Sequence, residues 1–170
     1  MSLFGARVRR KEDGRLNDVR IASGANGERV AFAASEAGDD RVWIIDVTQP
    51  TAPDFVSVID EYAHSVQLAT MGSTNYLYLA NYSNQIPRYD VTNPLTPVQA
   101  GRANVPGDTV SGLHDLTVYG NTIYANNTET GLVAMDQTTT FFNPTELGRK
   151  LSAYSHASWA GVVAGRELVL

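Results

Sequence analysis

The chain of 170 residues contains no cysteine. That excludes disulfides, thiolate metal sites and cysteine nucleophiles, and it leaves the redox compartment open. Charge is sparse: 18% of the residues are charged, the net charge is −5, and no block of five like charges occurs. Apart from Arg7 to Lys11 the basic residues are scattered. The chain therefore lacks the electrostatic footprint of a nucleic-acid partner. No apolar run approaches the ~18 residues of a membrane span, and no apolar core follows the basic residues of the first eleven, so no signal peptide is visible. If the protein is exported, its signal has been removed or lies outside this segment. A convincing helical period over ten residues is missing too. What remains is 43% hydrophobic with 14 Gly, 7 Pro and 8 Tyr, the composition of a turn-rich, β-leaning globular chain.

Internal repeats organise it. Ile45-Asp46-Val47-Thr48-Gln49-Pro50-Thr51-Ala52-Pro53 recurs as Tyr89-Asp90-Val91-Thr92-Asn93-Pro94-Leu95-Thr96-Pro97. A weaker third copy, Met135-Asp136-Gln137-Thr138, is followed by Asn143-Pro144 and lacks the Val and the second Pro. A second landmark runs out of phase with the first: Ala63-His64-Ser65-Val66, Leu113-His114-Asp115-Leu116 and Ser155-His156-Ala157-Ser158, with Asp18-Val19 as a degenerate first member. Within each period, short alternating apolar runs are bounded by Gly, Asn, Asp or Pro, the pattern of half-buried strands joined by tight turns. The expectation is an all-β chain of four-stranded antiparallel meanders, each the size of a β-propeller blade. The units are 17–62, 63–112, 113–154 and a partial 155–170, after a lead-in of residues 1–16. These three and a half blades stop short of a ring, so they are expected to be part of a larger wheel. The missing blades would come from a longer natural chain or, second, from a second copy associating through open blade edges. A small ring closed by Leu3 to Arg10 ranks last, because that segment does not alternate.

The run from the His landmark through Tyr76-Leu77-Tyr78-Leu79-Ala80 to the Asp-Val-Thr-x-Pro-x-x-Pro turn resembles the LVIVD repeat. Ser155-His156-Ala157-Ser158-Trp159 after Leu147-Gly148-Arg149 is similar to the bacterial surface proteins called choice-of-anchor B. Over residues 17 to 170, the resemblance implies a β-propeller located outside the cytoplasm, extracellular or at the cell surface. The third copy's departures from the signature imply a specialised loop there.

Among candidate site residues, Asp46, Asp90 and Asp136 read as structural: a carboxylate before Thr-x-Pro accepts hydrogen bonds from the turn, and each proline fixes φ. His64, His114 and His156 are the sharper case, because their shared repeat position places three imidazoles at the innermost strands, around the channel. There they can contact a ligand, a metal or an anion, or pack between blades by bonding a neighbour's backbone. Neighbouring blades are expected to hold them farther apart than the ~3–4 Å between two ligands of one ion bound at ~2.0–2.1 Å. Asp115 and His114 are adjacent on one strand and point to opposite faces. Ser111, Ser155 and Ser158 lack a nucleophile elbow. The acidic loop Ser35 to Asp40 lacks calcium-loop spacing and reads as a solvated turn.

Two functions follow. One is a non-enzymatic binding or surface-display module that contacts a protein or glycan through the loops near Tyr82 to Gln85, Pro106 to Gly112 and Asn126 to Thr130. The other is a hydrolase or lyase using a His-lined channel, which needs an acid–base pair within hydrogen-bond reach. No cofactor is expected.

Overall fold

The computed structural model describes residues 15–36, 41–107, 112–151 and 154–170. Most of the acidic loop (37–40), the centre of the Pro106 to Gly112 loop including Ser111 (108–111) and the segment Leu3 to Arg10 lie outside these residues.

Fourteen strands and no helix occur among the described residues. Blade 1 comprises β1 (Arg15–Ser23), β2 (Arg29–Glu36), β3 (Val42–Asp46) and β4 (Asp54–Ile59). Blade 2 comprises β5 (Ser65–Met71), β6 (Thr74–Ala80), β7 (Gln85–Asp90) and β8 (Val98–Asn104). Blade 3 comprises β9 (Asp115–Tyr119), β10 (Thr122–Asn126), β11 (Leu132–Asp136) and β12 (Thr145–Lys150), and a half-blade holds β13 (Ala160–Val163) and β14 (Arg166–Val169). Each full sheet is an antiparallel meander in sequence order, the expected arrangement. Two bounds differ from expectation. β1 takes in Arg15 and Leu16 from the lead-in, and β13 starts at Ala160, after the segment in which Ser158 turns its carbonyl to the Thr117 hydroxyl (2.6 Å).

The repeated turn explains why each meander folds locally. Oδ1 of Asp46, Asp90 and Asp136 accepts the backbone N–H of Thr48, Thr92 and Thr138, each at 2.8 Å. The Thr48 and Thr92 hydroxyls in turn accept the N–H of Arg29 and Asn75, the residues at the start of the preceding strand (3.0 and 3.2 Å). One Asp-x-Thr thus closes its own turn and aligns the next strand over. These bonds hold the Asp46 and Asp136 carboxyls below the usual aspartate range. The three carboxylates serve separate turns, so the structural reading holds.

Each third strand slips register against the fourth at the same point: Ile44/Ile45, Arg88/Tyr89 and Ala134/Met135. The extra residue bends and twists the outer strand, which gives every blade the same coil. Successive innermost strands β1, β5, β9 and β13 are neighbours. The second strands are buried on both faces over most of their length, where the alternation suggests half-buried strands. Val30, Phe32, Ala34, Val42 and Ile44 of blade 1 meet Leu77, Leu79 and Val91 of blade 2 in one core. Tyr78, Ala80 and Ile86 meet Leu116, Ile123, Ala125 and Met135 of blade 3 in the other.

Candidate functional site

The backbone fixes which positions are equivalent. His64 N donates to the Ala80 carbonyl (2.7 Å) and His114 N to that of Asn126 (2.8 Å), each at the junction of a first and second strand. In blade 1 the corresponding residue is Asn17, left unpaired by the register shift between Leu16 and Asp18. The degenerate first member of the landmark is therefore Asn17, with Asp18 matching Ser65 and Asp115. These three residues also cross blade boundaries: Asp18 Oδ2 accepts the Val66 N–H (3.1 Å), and the Ser65 hydroxyl donates to Asp115 Oδ1 (2.6 Å). Asp115 is thus committed to a neighbouring blade rather than to His114.

The structure brings His64, His114 and His156 together, closer than the sequence led one to expect. Ring centroids are 4.0 Å apart for His64 and His114 and 3.9 Å for His114 and His156. Each histidine opens its blade before the first strand, where the blades converge, and convergence shortens the step between neighbours. His64 and His114 are buried, at 8% and 6% exposure, while His156 is exposed. Among the described residues no set of three His, Asp or Glu groups is arranged to hold one metal ion.

What the imidazoles do is visible in their partners. The His114 Nδ1 hydrogen goes to the His156 backbone carbonyl (3.0 Å), the next blade's equivalent residue. Asn17 makes the same link one boundary earlier, Nδ2 to the His64 carbonyl at 3.0 Å. The position is thus an inter-blade clip that either side chain can supply. His64 is turned differently. Its Nδ1 bonds the Glu36 carboxylate and lies 3.0 Å from the Tyr82 hydroxyl, and its Nε2 lies 3.0 Å from Asn17 Nδ2. A hydrogen on Nδ1 suits the carboxylate and leaves Nε2 to accept from the amide. Burial would raise the Glu36 carboxyl, but hydrogen bonds from His64, Tyr62 and Arg15 outweigh it and hold it below the usual range. Burial and the facing imidazoles of His64 and His156 push His114 down, so it resists protonation.

A second row of equivalent positions lies against the first. Glu36, Tyr82 and Thr128 each follow by six residues the position that pairs with the turn aspartate, namely Val30, Tyr76 and Thr122. Glu36 bonds His64, Tyr82 packs on His114 (5.4 Å between centroids), and Thr128 bridges Ser155. Tyr82 and Thr128 hold positive φ angles of 57° and 35°. A non-glycine residue in that region stores ~1–3 kcal/mol and marks functional segments. Asn17, Glu36, Tyr82 and Thr128 escape a search for identical residues, because only the backbone position is common. Counting from the hairpin rather than matching letters would have found them.

No family model matches the chain, and no curated protein does. Among solved structures the chain is similar to Saccharomyces cerevisiae Sqt1, a β-propeller, with a TM-score of 0.56 at 12% identity. The match covers 86% of this chain and 38% of that one, so the chain spans well under half of that protein. At such identity the likeness concerns the fold, which is that of a β-propeller.

Proposed function

We propose that the chain is a non-enzymatic binding module, a propeller arc of the LVIVD-repeat type displayed outside the cytoplasm, whose ligand contacts the end of the channel where the two rows meet. The observation that carries this reading is the convergence of His64, His114 and His156 with Tyr82 and Tyr154 at one mouth, where Tyr82 is 37% and Tyr154 58% exposed and His156 is open. The repeated Asp-Val-Thr-x-Pro-x-x-Pro turn supports the LVIVD assignment, and with it the cell-surface location and a protein or glycan partner.

The enzyme reading has one observation in its favour, an acid–base pair, Glu36 and His64, in direct contact. A general base, however, needs a nitrogen facing the reactant. Both nitrogens of His64 already face Glu36 and Asn17, and the side chain is only 10% exposed. Binding is the better fit.

The test is a panel of immobilised proteins and glycans probed with the intact chain and with Tyr154→Ala. A ligand that loses the variant while its circular dichroism is unchanged, and that is recovered unaltered by mass spectrometry after incubation, fits the binding module. A ligand cleaved by the chain, with cleavage abolished in His64→Gln, overturns it for the hydrolase or lyase. Binding that ignores Tyr154→Ala and a matching His156→Ala moves the site away from this mouth.

A further inference from the structure

The rings at the mouth form two groups open to solvent, Tyr62 with Tyr82 and Tyr154 with His156, joined through the buried ring of His114, which stands at 75° to Tyr82. From Tyr62 the centroid steps run 6.1 Å to Tyr82, 5.4 Å to His114, 3.9 Å to His156 and 6.3 Å to Tyr154, with His64 tucked 4.8 Å from Tyr82. Tyr62 and Tyr82 lie within 25° of parallel, and His156 and Tyr154 within 35°. Ring planes aligned within both groups suit an elongated ligand that offers flat faces of C–H groups.

Charge narrows the class. Glu36 is engaged by Arg15 (2.6 Å), Tyr62 (3.0 Å) and His64, so it presents no open carboxylate to a cation. The chain's net charge is −5. A polyanion would be repelled. The backbone narrows it further. An extended peptide gains affinity by adding main-chain hydrogen bonds to an open strand edge. Here the amides of His64, Tyr82, Leu113, His114 and Ser155 already donate to Ala80, Leu113, Ser83, Asn126 and Thr128. What the mouth offers is ring faces interleaved with hydroxyl and imidazole groups, held by a backbone with positive φ at Tyr82 and Thr128.

Resting on the binding reading above, we infer that the ligand of this mouth is an uncharged carbohydrate chain, its sugar rings stacked on the exposed rings of Tyr82 and Tyr154 on either side of buried His114 and its hydroxyls bonded to Tyr82, Tyr154 and His156. Loss of one exposed ring lowers affinity by up to about tenfold, ~1.4 kcal/mol.

The test is proton NMR on the full 170-residue chain, observing saturation transfer to the sugar and the aromatic signals of the protein. The neutral probes are cellohexaose, maltohexaose, mannohexaose and N-acetylated chitohexaose, the anionic ones hyaluronan and heparin hexasaccharides, and the peptide decaproline. At least one neutral probe should bind, shift the rings of Tyr82, Tyr154 and His156, and bind about tenfold more weakly to Tyr154→Ala and to Tyr82→Asn. Asparagine tolerates the left-handed backbone, so that variant removes the ring without the fold. An anionic probe or decaproline moving these rings while no neutral probe does overturns the carbohydrate class and leaves a binding mouth. Rings unmoved by every probe also overturn it, and the protein and glycan panel then decides separately whether the mouth binds at all.

Discussion

Two of the three boundaries between sheets are sealed by hydrocarbon, whereas the third is laced by polar bonds. Where blade 1 meets blade 2, Phe32, Ile44, Leu77 and Leu79 are at most 2% exposed. Where blade 2 meets blade 3, Leu113, Leu116, Ile123 and Met135 are as deeply buried, and the Arg88 guanidinium lies 3.8 Å from the Phe141 ring centre and 4.2 Å from that of Tyr76. Where blade 3 meets the half-blade, the contacts change character. Tyr124 bonds Glu167, Asn126 donates to Ser158 Oγ (3.0 Å), and the Ser155 hydroxyl donates to Asn126 Oδ1 (2.7 Å), while Trp159, Val162 and Val163 are more than half exposed. The difference teaches that these blades divide labour. Apolar area supplies the stability of a boundary, and the hydrogen bonds, small in net worth, set how one blade is rotated against the next.

The strongest way to break this contrast is Leu79→Ala. It should cost about 2–5 kcal/mol and lower the urea midpoint of blades 1 and 2 together. Loss confined to blade 2 would show that the first boundary does not couple them. Tyr124→Phe, at the polar boundary, should cost only about 0.5–1.5 kcal/mol. Hydrogen exchange should quicken in Ala160–Val163 and Arg166–Val169 and stay unchanged in blade 1. Burial and the bond to Glu167 push the Tyr124 phenol up to about 12, so wild-type stability should depend on this contact up to high pH. Asp46→Ala opens a turn at the rim, away from either boundary, and should cost under about 1 kcal/mol, read as a small shift in thermal midpoint.

The smallest effect at neutral pH belongs to His114→Asn, since asparagine already makes the same clip at position 17. The difference should emerge in acid. The folded chain depresses the His114 pKa, so the unfolded chain binds the proton first, and this contribution to stability is fully present above the unfolded value of ~6.5. It should be lost as pH falls below that value towards the folded one. Wild type should therefore lose stability on acidification in this window more steeply than His114→Asn, in denaturation curves at a series of pH values. Parallel slopes would show that the clustered imidazoles do not resist charging.

Strand existence and order were legible because the Asp-x-Thr turn recurs every blade and its bonds are local: one carboxylate, one N–H two residues on. The His equivalence was legible because the letter itself recurs once per period. The spacing of the imidazoles was not, because it depends on how far the blades converge, a property of twist and of the bulges at Ile44, Arg88 and Ala134 that no letter announces. Glu36 and Tyr82 were invisible as partners of the histidines, since Glu36 reaches His64 across a blade boundary from 28 positions away and Tyr82 meets it from 18 positions away within one blade. The LVIVD resemblance led to the right fold, while family membership has no match behind it.

The clip at the mouth has a direction. Asn17 reaches forward to His64, and His114 reaches forward to His156, so the earlier unit gives the hydrogen and the later one receives it. The boundary between blades 2 and 3 departs from the rule, since His64, the equivalent residue there, turns its Nδ1 back to Glu36 of the preceding blade. The polar seam therefore changes sense along the arc: blades 1 and 2 are tied from both sides, Asn17 forward and His64 back, so that His64 ties its blade to the unit before it and His114 ties its blade to the unit after.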